Sequence, residues 1–166
     1  MKGALIVLEG ADGVGKSIQA ERLREWLADG KTVLLDRYVH SNVAYQCARV
    51  ADPSARERLR DWILALEYGH HDLPRPDRAL YLDAPIAFSR ERLRAGRAGD
   101  DRNYLAGGVD VYEKDLGLQE RVREEFIRLT EGDFGLTRVP CGDADGGMAF
   151  PDVIHGRIRE ALEHFT

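Results

Sequence analysis

A glycine-rich loop between an apolar run and an amphipathic stretch constrains the fold of this chain more than any other feature. Ala4 to Leu8 is fully apolar, the pattern of a strand buried on both faces. The loop Gly10 to Ser17 matches GxxxxGK(S/T), and apolar residues then recur at helical spacing from Lys16 to Ala28. A strand, a loop of this pattern and a helix in this order predict a phosphate-binding loop.

Phosphate chemistry explains the composition of this loop. Glycines allow a tight turn whose backbone N–H groups point at phosphate oxygens, and the following helix adds the positive end of its dipole. Lys16 is placed to reach the β and γ phosphates, and the Ser17 hydroxyl to ligate Mg²⁺. The predicted ATP-binding residues are Gly10, Gly13, Val14, Gly15, Lys16 and Ser17.

The rest of the chain alternates between strand and helix patterns. Further strands are predicted at Thr32–Leu35, Ala79–Leu82 and Leu136–Val139, and helices at Ser54–Tyr68, Pro85–Arg94, Val111–Thr130 and Asp152–Phe165. Such alternation predicts an α/β fold of the P-loop NTPase type, with a parallel sheet and helices on both faces. The sheet is expected to have four strands, with Thr32–Asp36 beside Ala4–Leu8.

Composition limits the class of protein and its partners. The chain has 166 residues and no internal linker, so we expect a single P-loop domain over residues 1–166. A formal net charge of -5 argues against a nucleic-acid partner. Two distant cysteines, no membrane-length apolar run and no secretory pattern at the N-terminus predict a cytoplasmic protein without a membrane partner.

Two charged segments are further candidates for the site. Asp36 and Arg37 follow the second strand, at the sheet edge where α/β proteins bind ligands, so the carboxylate can hold Mg²⁺ and the guanidinium a phosphate. The other reading is a surface pair or a turn cap. Between about Ala95 and Gly108 lies a Gly-, Arg- and Asp-rich segment that reads as a mobile lid. Its arginines, or those beside it, can stabilise a transferring phosphoryl group, although a solvated loop is the simpler reading. They are Arg92, Arg94, Arg97 and Arg102.

Several motifs resemble the thymidylate kinase family. Leu8 to Ser17 is similar to that family's opening, and Asp36 to Gln46 to its DRY motif with the trailing SxxAYQ. Pro74 to Pro85 resembles the strand before the lid, and Asp101 to Arg123 the lid and the helix after it. The first two motifs together are specific, and the resemblance spans nearly the whole chain.

The resemblance implies a nucleoside-monophosphate kinase that transfers the γ-phosphate of ATP to dTMP with Mg²⁺. It implies that Lys16 and lid arginines (Arg94, Arg97, Arg102) act in catalysis, with Asp12 organising the acceptor and Asp36 the Mg²⁺. It also implies that Arg37 contacts the acceptor phosphate, Asn42 the thymine and Tyr45 the deoxyribose. Tyr38 belongs to the same group. Without the resemblance, Tyr38 and Tyr45 read as packing residues and Asn42 as a helix cap.

The chain departs from the family pattern in two places. Ile18 replaces a hydroxyl residue after GKS. Only Asp29-Gly30-Lys31 joins the first helix to the second strand, where the family has a strand, an arginine-containing loop and two helices. Either these elements are truly absent or residues are missing from the chain at this join. Their absence puts the family's usual homodimer in doubt. It also leaves two other readings, a deoxynucleoside kinase and a non-catalytic ATP-binding regulatory protein.

Overall fold

A computed structural model describes residues 4–10, 32–95 and 116–163. The strands are β1 (Ala4–Glu9), β2 (Thr32–Asp36), β3 (Arg78–Asp83) and β4 (Leu136–Pro140). The helices are α1 (Val39–Cys47), α2 (Pro53–Ala65), α3 (Ile86–Ala95), α4 (Leu116–Glu131) and α5 (Pro151–Leu162), and a π-helical turn follows α2 at Leu66–His70.

In the described part of the chain, the four strands form one parallel sheet in the order β2-β1-β3-β4. Ala4 pairs with Thr32 and Leu8 with Asp36, so β2 lies beside β1 as the sequence predicted. The parallel sheet of four strands is likewise confirmed. Because parallel strands share a direction, Glu9, Asp36 and Asp83 all come at the same edge of the sheet.

Alternation along the strands gives the sheet two apolar faces, each covered by helices. Val7, Ala79 and Tyr81 join a cluster with the buried sides of α1, α2 and α4. Leu8, Leu80 and Leu82 face the other way and pack with β4 and α5. The last two helices turn apolar stripes toward these clusters, since Val122, Phe126, Ile154 and Ile158 are all buried.

Helix α1 was not predicted from the sequence. Val39, Val43 and Cys47 recur every fourth residue and are all buried, which is the signal that marks it. The side chain of its N-cap residue, Tyr38, makes no capping hydrogen bond to the helix. Asn42 lies inside this helix, so its reading as a helix cap is wrong.

Helix α2 begins one residue before its predicted start because Asp52 and Pro53 form its N-terminus. The Asp52 carboxylate accepts a hydrogen bond from the Ala55 N–H at 2.8 Å, and Pro53 occupies the first turn. The predicted helix was continuous to Tyr68, whereas the backbone changes to a π-helical turn at Leu66. There the His71 N–H donates to the Leu66 carbonyl, which widens the turn before β3.

Some predictions concern residues outside the described ranges. They include the helix at Lys16–Ala28, the join at Asp29–Lys31, residues 96–108 of the predicted lid, and residues 111–115 of the helix predicted from Val111. No helix within residues 4–10, 32–95 and 116–163 has the length and apolarity that crossing a membrane requires.

Candidate nucleotide site

The candidate site lies at the carboxyl ends of β1 and β2. Pairing of Leu8 with Asp36 aligns the two strand ends, and the Arg37 N–H donates to the Leu8 carbonyl at 3.1 Å. Gly10, the first residue of the predicted phosphate loop, therefore follows β1 beside the Asp36-Arg37 pair. Ligands of open α/β sheets bind at this edge, as predicted for these residues.

Glu9 is a fully buried acidic group at this edge, and no role was predicted for it from the sequence. Its carboxylate accepts hydrogen bonds from the Tyr38 N–H at 3.1 Å, the Ser41 N–H at 3.3 Å and the Ser41 hydroxyl. Burial raises the pKa of Glu9 to about 7, while the bonds from Ser41 and Tyr38 and the charge of Arg37 oppose the rise. A glutamate at the end of an otherwise apolar strand was the signal available in the sequence.

These bonds make Glu9 the cap of α1. Tyr38 and Ser41 lie at the N-terminus of this helix, where the first backbone N–H groups have no carbonyl four residues earlier in the helix, although the Ser41 N–H also reaches the Tyr38 carbonyl at 3.1 Å. A carboxylate from β1 satisfies two of them and also complements the helix dipole. The strand that leads into the phosphate loop is thereby joined to the helix that carries Asn42 and Tyr45.

Arg37 has an unusual backbone conformation, with a φ of 70°. Residues other than glycine seldom occupy this left-handed region, and such positions concentrate at functional sites. The Arg37 guanidinium lies 5.5 Å from the centroid of the Tyr45 ring, a cation–π contact. The structure therefore brings together two residues that the sequence assigned to one acceptor site.

Tyr38, Tyr45 and Asn42 have structural contacts of their own. Tyr38 and Tyr45 pack partly against the core, and the Tyr38 hydroxyl donates to the Pro74 carbonyl at 3.1 Å. Asn42 is exposed, and its amide NH₂ donates to Glu67 at 2.9 Å. A packing role for both tyrosines is thus present in the structure, beside any role toward a ligand.

Asp36 has the chemistry of a Mg²⁺ ligand. Its carboxylate is exposed at the strand end, and the described residues give it no hydrogen-bond or ion-pair partner. No group of three or more metal-binding side chains occurs in the described ranges. A hard cation here would combine Asp36 with oxygens from the phosphate loop, a nucleotide and water.

Most predicted catalytic residues fall outside the described part of the chain. Gly10 is described, whereas Asp12, Gly13, Val14, Gly15, Lys16, Ser17, Arg97 and Arg102 are not. Arg92 and Arg94 belong to α3 by their backbone, and their side chains lie outside the description. Their roles remain predictions.

A second buried carboxylate, Asp83, lies at the carboxyl end of β3 and accepts hydrogen bonds from two neighbouring elements. It accepts from Arg123 at 2.7 and 3.0 Å and from Arg138 at 2.8 Å. The Tyr81 hydroxyl also reaches it at 3.4 Å. Asp83 thus ties the end of β3 to α4 and β4. No role was predicted for this residue, which directly follows the predicted strand Ala79–Leu82.

Known proteins with similar sequences are thymidylate kinases. The probable thymidylate kinase of Pyrococcus horikoshii is 26% identical over 193 residues, which include 79% of this chain and 84% of that protein. The thymidylate kinase of Mycobacterium tuberculosis is 35% identical over 127 residues, or 73% of this chain and 57% of that enzyme. No protein-family profile matches the chain.

Solved structures give the same picture of the fold. Thymidylate kinase from Candida albicans superimposes with a TM-score of 0.66 at 22% identity, covering 98% of this chain and 92% of that one. The enzyme from Ehrlichia chaffeensis gives a TM-score of 0.59 at 15% identity, covering 98% of this chain and all of that one. The parallel sheet and the glycine-rich motif that follows β1 thus define an α/β domain of the P-loop type. The similar proteins found by sequence are thymidylate kinases, 26% and 35% identical over most of this chain.

Proposed function

We propose that this protein is a phosphotransferase that transfers the γ-phosphate of ATP to dTMP, giving dTDP. The observation that carries the proposal is the assembly at the ends of β1 and β2. There Arg37, Asn42 and Tyr45 lie on one turn and one helix, which Glu9 joins to the strand entering the phosphate loop. Similarity to thymidylate kinases supports the choice of donor and acceptor.

On the donor side, the phosphate loop would hold ATP through Gly10, Gly13, Val14, Gly15, Lys16 and Ser17. Ser17 and Asp36 would hold Mg²⁺, which supplies charge neutralisation at the donor phosphates. Lys16 would place its ammonium against the β and γ phosphates. Arg94, Arg97 and Arg102 would contribute cations where negative charge spreads over the moving group.

On the acceptor side, the residues of β2 and α1 would bind the nucleotide monophosphate. Arg37 would contact the acceptor phosphate, since its guanidinium lies over the Tyr45 ring and a guanidinium suits a phosphate. Asn42 would face the thymine and Tyr45 the deoxyribose, with Tyr38 supporting the turn through Pro74. Asp12 would organise the acceptor from the phosphate loop.

A second candidate function, ATP binding without turnover, is favoured by one observation. The alignment with the Pyrococcus protein is 193 residues long, whereas this whole chain has 166 residues. Only 79% of this chain takes part in that alignment. The relative therefore has residues within that stretch that have no counterpart here. If the missing residues bind the acceptor, transfer would be weak or absent.

A coupled assay of ADP release tests the proposal and both alternatives. With ATP and Mg²⁺, dTMP should stimulate turnover strongly, whereas deoxythymidine should not. Stimulation by deoxythymidine alone would identify a deoxynucleoside kinase. ATP binding by calorimetry without turnover on either acceptor would identify the non-catalytic alternative.

We also propose a cytoplasmic location and a single kinase domain. The two free cysteines, Cys47 and Cys141, are buried, which suits a reducing compartment. A homodimer of the family type stays doubtful for a chain that is shorter than its relatives in the aligned stretch. Gel filtration with light scattering measures the assembly directly.

A further inference from the structure

The carboxamide of Asn42 has a fixed orientation in this structure. Its NH₂ group donates to Glu67 Oε1 at 2.9 Å. An ionised carboxylate can only accept hydrogen bonds, so the side of the amide that faces Glu67 is the NH₂ side. Chemistry alone, therefore, decides which way the amide points.

Glu67 is itself held in place by the π-helical turn that carries it. The backbone carbonyl of Glu67 accepts from the Leu73 N–H at 3.0 Å, and the His71 N–H closes the turn on Leu66 at 2.8 Å. Arg75, just beyond, lies 4.3 Å from the centroid of the Tyr68 ring. These bonds fix the backbone from which the Glu67 carboxylate reaches Asn42.

With the NH₂ group engaged, the carbonyl oxygen Oδ1 of Asn42 faces away from Glu67. No described residue donates to it, and the side chain is exposed. Asn42 and Tyr45 are three residues apart on α1, so they share one face of the helix, and Arg37 covers the Tyr45 ring. The outward oxygen is an exposed hydrogen-bond acceptor on the helix face that also bears Tyr45.

An acceptor at this point distinguishes pyrimidines by the proton on N3. Thymine and uracil carry an N3–H, which donates to an amide oxygen. Cytosine presents a bare N3 acceptor, which meets that oxygen with lone pairs opposed. A reversed amide would have the opposite preference.

We propose that Glu67 is a specificity-determining positioning residue, which holds Asn42 with its oxygen outward and so selects a pyrimidine protonated at N3. The inference rests on the proposed function, because it takes the face of α1 that bears Asn42 and Tyr45 as the acceptor base site. Glu67 acts through Asn42 and does not itself contact the nucleotide.

The test is equilibrium binding of dTMP and dCMP to the whole protein, measured by calorimetry without ATP. Glu67→Gln should reduce the preference for dTMP roughly tenfold, the value of about one hydrogen bond. A glutamine can accept from the Asn42 NH₂ or donate to its oxygen, so both amide orientations become possible. Glu67→Ala, which removes the acceptor altogether, should give the same loss.

Glu57→Gln is the matched control, since it makes the same chemical change at an exposed position on α2. It should leave the ratio of the two dissociation constants unchanged. Melting temperatures of all variants report whether each one folds. The preference for dTMP is expected to fall while the melting temperature stays within a few degrees.

Two results would overturn the inference. One is a wild-type protein that binds dTMP and dCMP equally. The other is a pair of Glu67 variants in which both nucleotides weaken to the same extent. Because binding is the readout, these outcomes are separate from failure of the proposed transfer reaction, which the ADP-release assay detects on its own.

Discussion

Glu9 and Arg37 are the two residues whose local structure bears most directly on the candidate site. A single buried carboxylate accepts three hydrogen bonds from the start of α1, and the neighbouring turn takes a left-handed backbone at Arg37. Burial of Glu9 disfavours its ionised form, and the hydrogen bonds from Tyr38 and Ser41 partly offset this effect. Single substitutions at Glu9 and at Arg37 can test the role of each residue.

The stability of the protein should depend on pH through Glu9. Its folded-state pKa is about 7, against an ordinary 4.5, so the folded protein retains the proton over a range in which the unfolded chain has lost it. This contribution to the free energy of unfolding is fully present below about pH 4.5 and is lost as pH rises to about 7. The loss amounts to about 2–3 kcal/mol between pH 5 and 8.

Urea unfolding of the wild type and Glu9→Gln at pH 5 and pH 8 measures this dependence. The glutamine variant cannot titrate at this position, so the difference in unfolding free energy between the two proteins should change with pH by the amount given above. Glu57→Gln, at an exposed position, should follow the wild type at both values. Parallel curves for the wild type and Glu9→Gln would show that Glu9 has an ordinary pKa.

Arg37→Lys should weaken the acceptor side selectively. Lysine keeps the charge but loses the planar, two-pronged guanidinium that suits a phosphate and an aromatic ring. We expect kcat/KM for dTMP to fall by roughly ten- to a hundredfold, with the KM for ATP unchanged. Steady-state kinetics with each substrate varied in turn measures the two effects. Arg58→Lys, on the exposed side of α2, is the control. If Arg37→Lys weakened ATP and dTMP equally, Arg37 would not be a residue of the acceptor site alone.

At the scale of elements, Asp83 joins β3 to α4 and β4 at the far side of the site. It is buried, whereas its partners Arg123 and Arg138 are 32% and 44% exposed, so removing the carboxylate leaves two cations that water can still reach. The cost of losing it is therefore below that of a fully buried pair.

Asp83→Asn should lower the free energy of unfolding by about 2 kcal/mol, because one amide cannot accept from both arginines as a carboxylate does. Urea denaturation measures the change. Asp61→Asn removes an exposed partner of Arg60 and should cost well under 1 kcal/mol. If both variants had the same small effect, Asp83 would not be what joins β3 to α4 and β4.

The elements that the sequence predicted are those whose signals are local. Buried strands appear as apolar runs, and α4 and α5 as 3.6-residue stripes, so Ile6, Val122 and Ile158 could be assigned in advance. Capping signals in the sequence do not mark the start of α1, because its N-cap residue has no capping side chain. Glu9 caps the helix instead, and it lies 29 and 32 residues before the two residues whose N–H groups it accepts. The Glu67–Asn42 bond likewise depends on how the π-helical turn meets α1.

For the whole molecule, the main question is what the shorter chain retains of the family's activity. The phosphate-loop motif and the strand-end site are both present in the sequence, and the fold covers nearly all of two thymidylate kinase structures. Yet the aligned stretch in the Pyrococcus protein is longer than this chain. The donor half therefore has its full set of candidate residues, whereas the acceptor half depends on α1 and its neighbours.

The ratio of the KM for dTMP to the KM for ATP should accordingly be about tenfold larger in this protein than in the Mycobacterium tuberculosis enzyme, the result of losing roughly 1.4 kcal/mol of acceptor binding. The reason is that Arg37, Asn42 and Tyr45 would have to bind the acceptor without the further family elements that would enclose it. Steady-state kinetics on this protein and on the Mycobacterium tuberculosis enzyme, measured together at saturating Mg²⁺, compares the two. The KM for dTMP divided by the KM for ATP should be larger in this protein than in the Mycobacterium tuberculosis enzyme. Because lost ground-state binding raises KM, kcat should differ less between the two proteins than kcat/KM for dTMP. Equal ratios in the two proteins would mean that β2 and α1 alone supply the acceptor site.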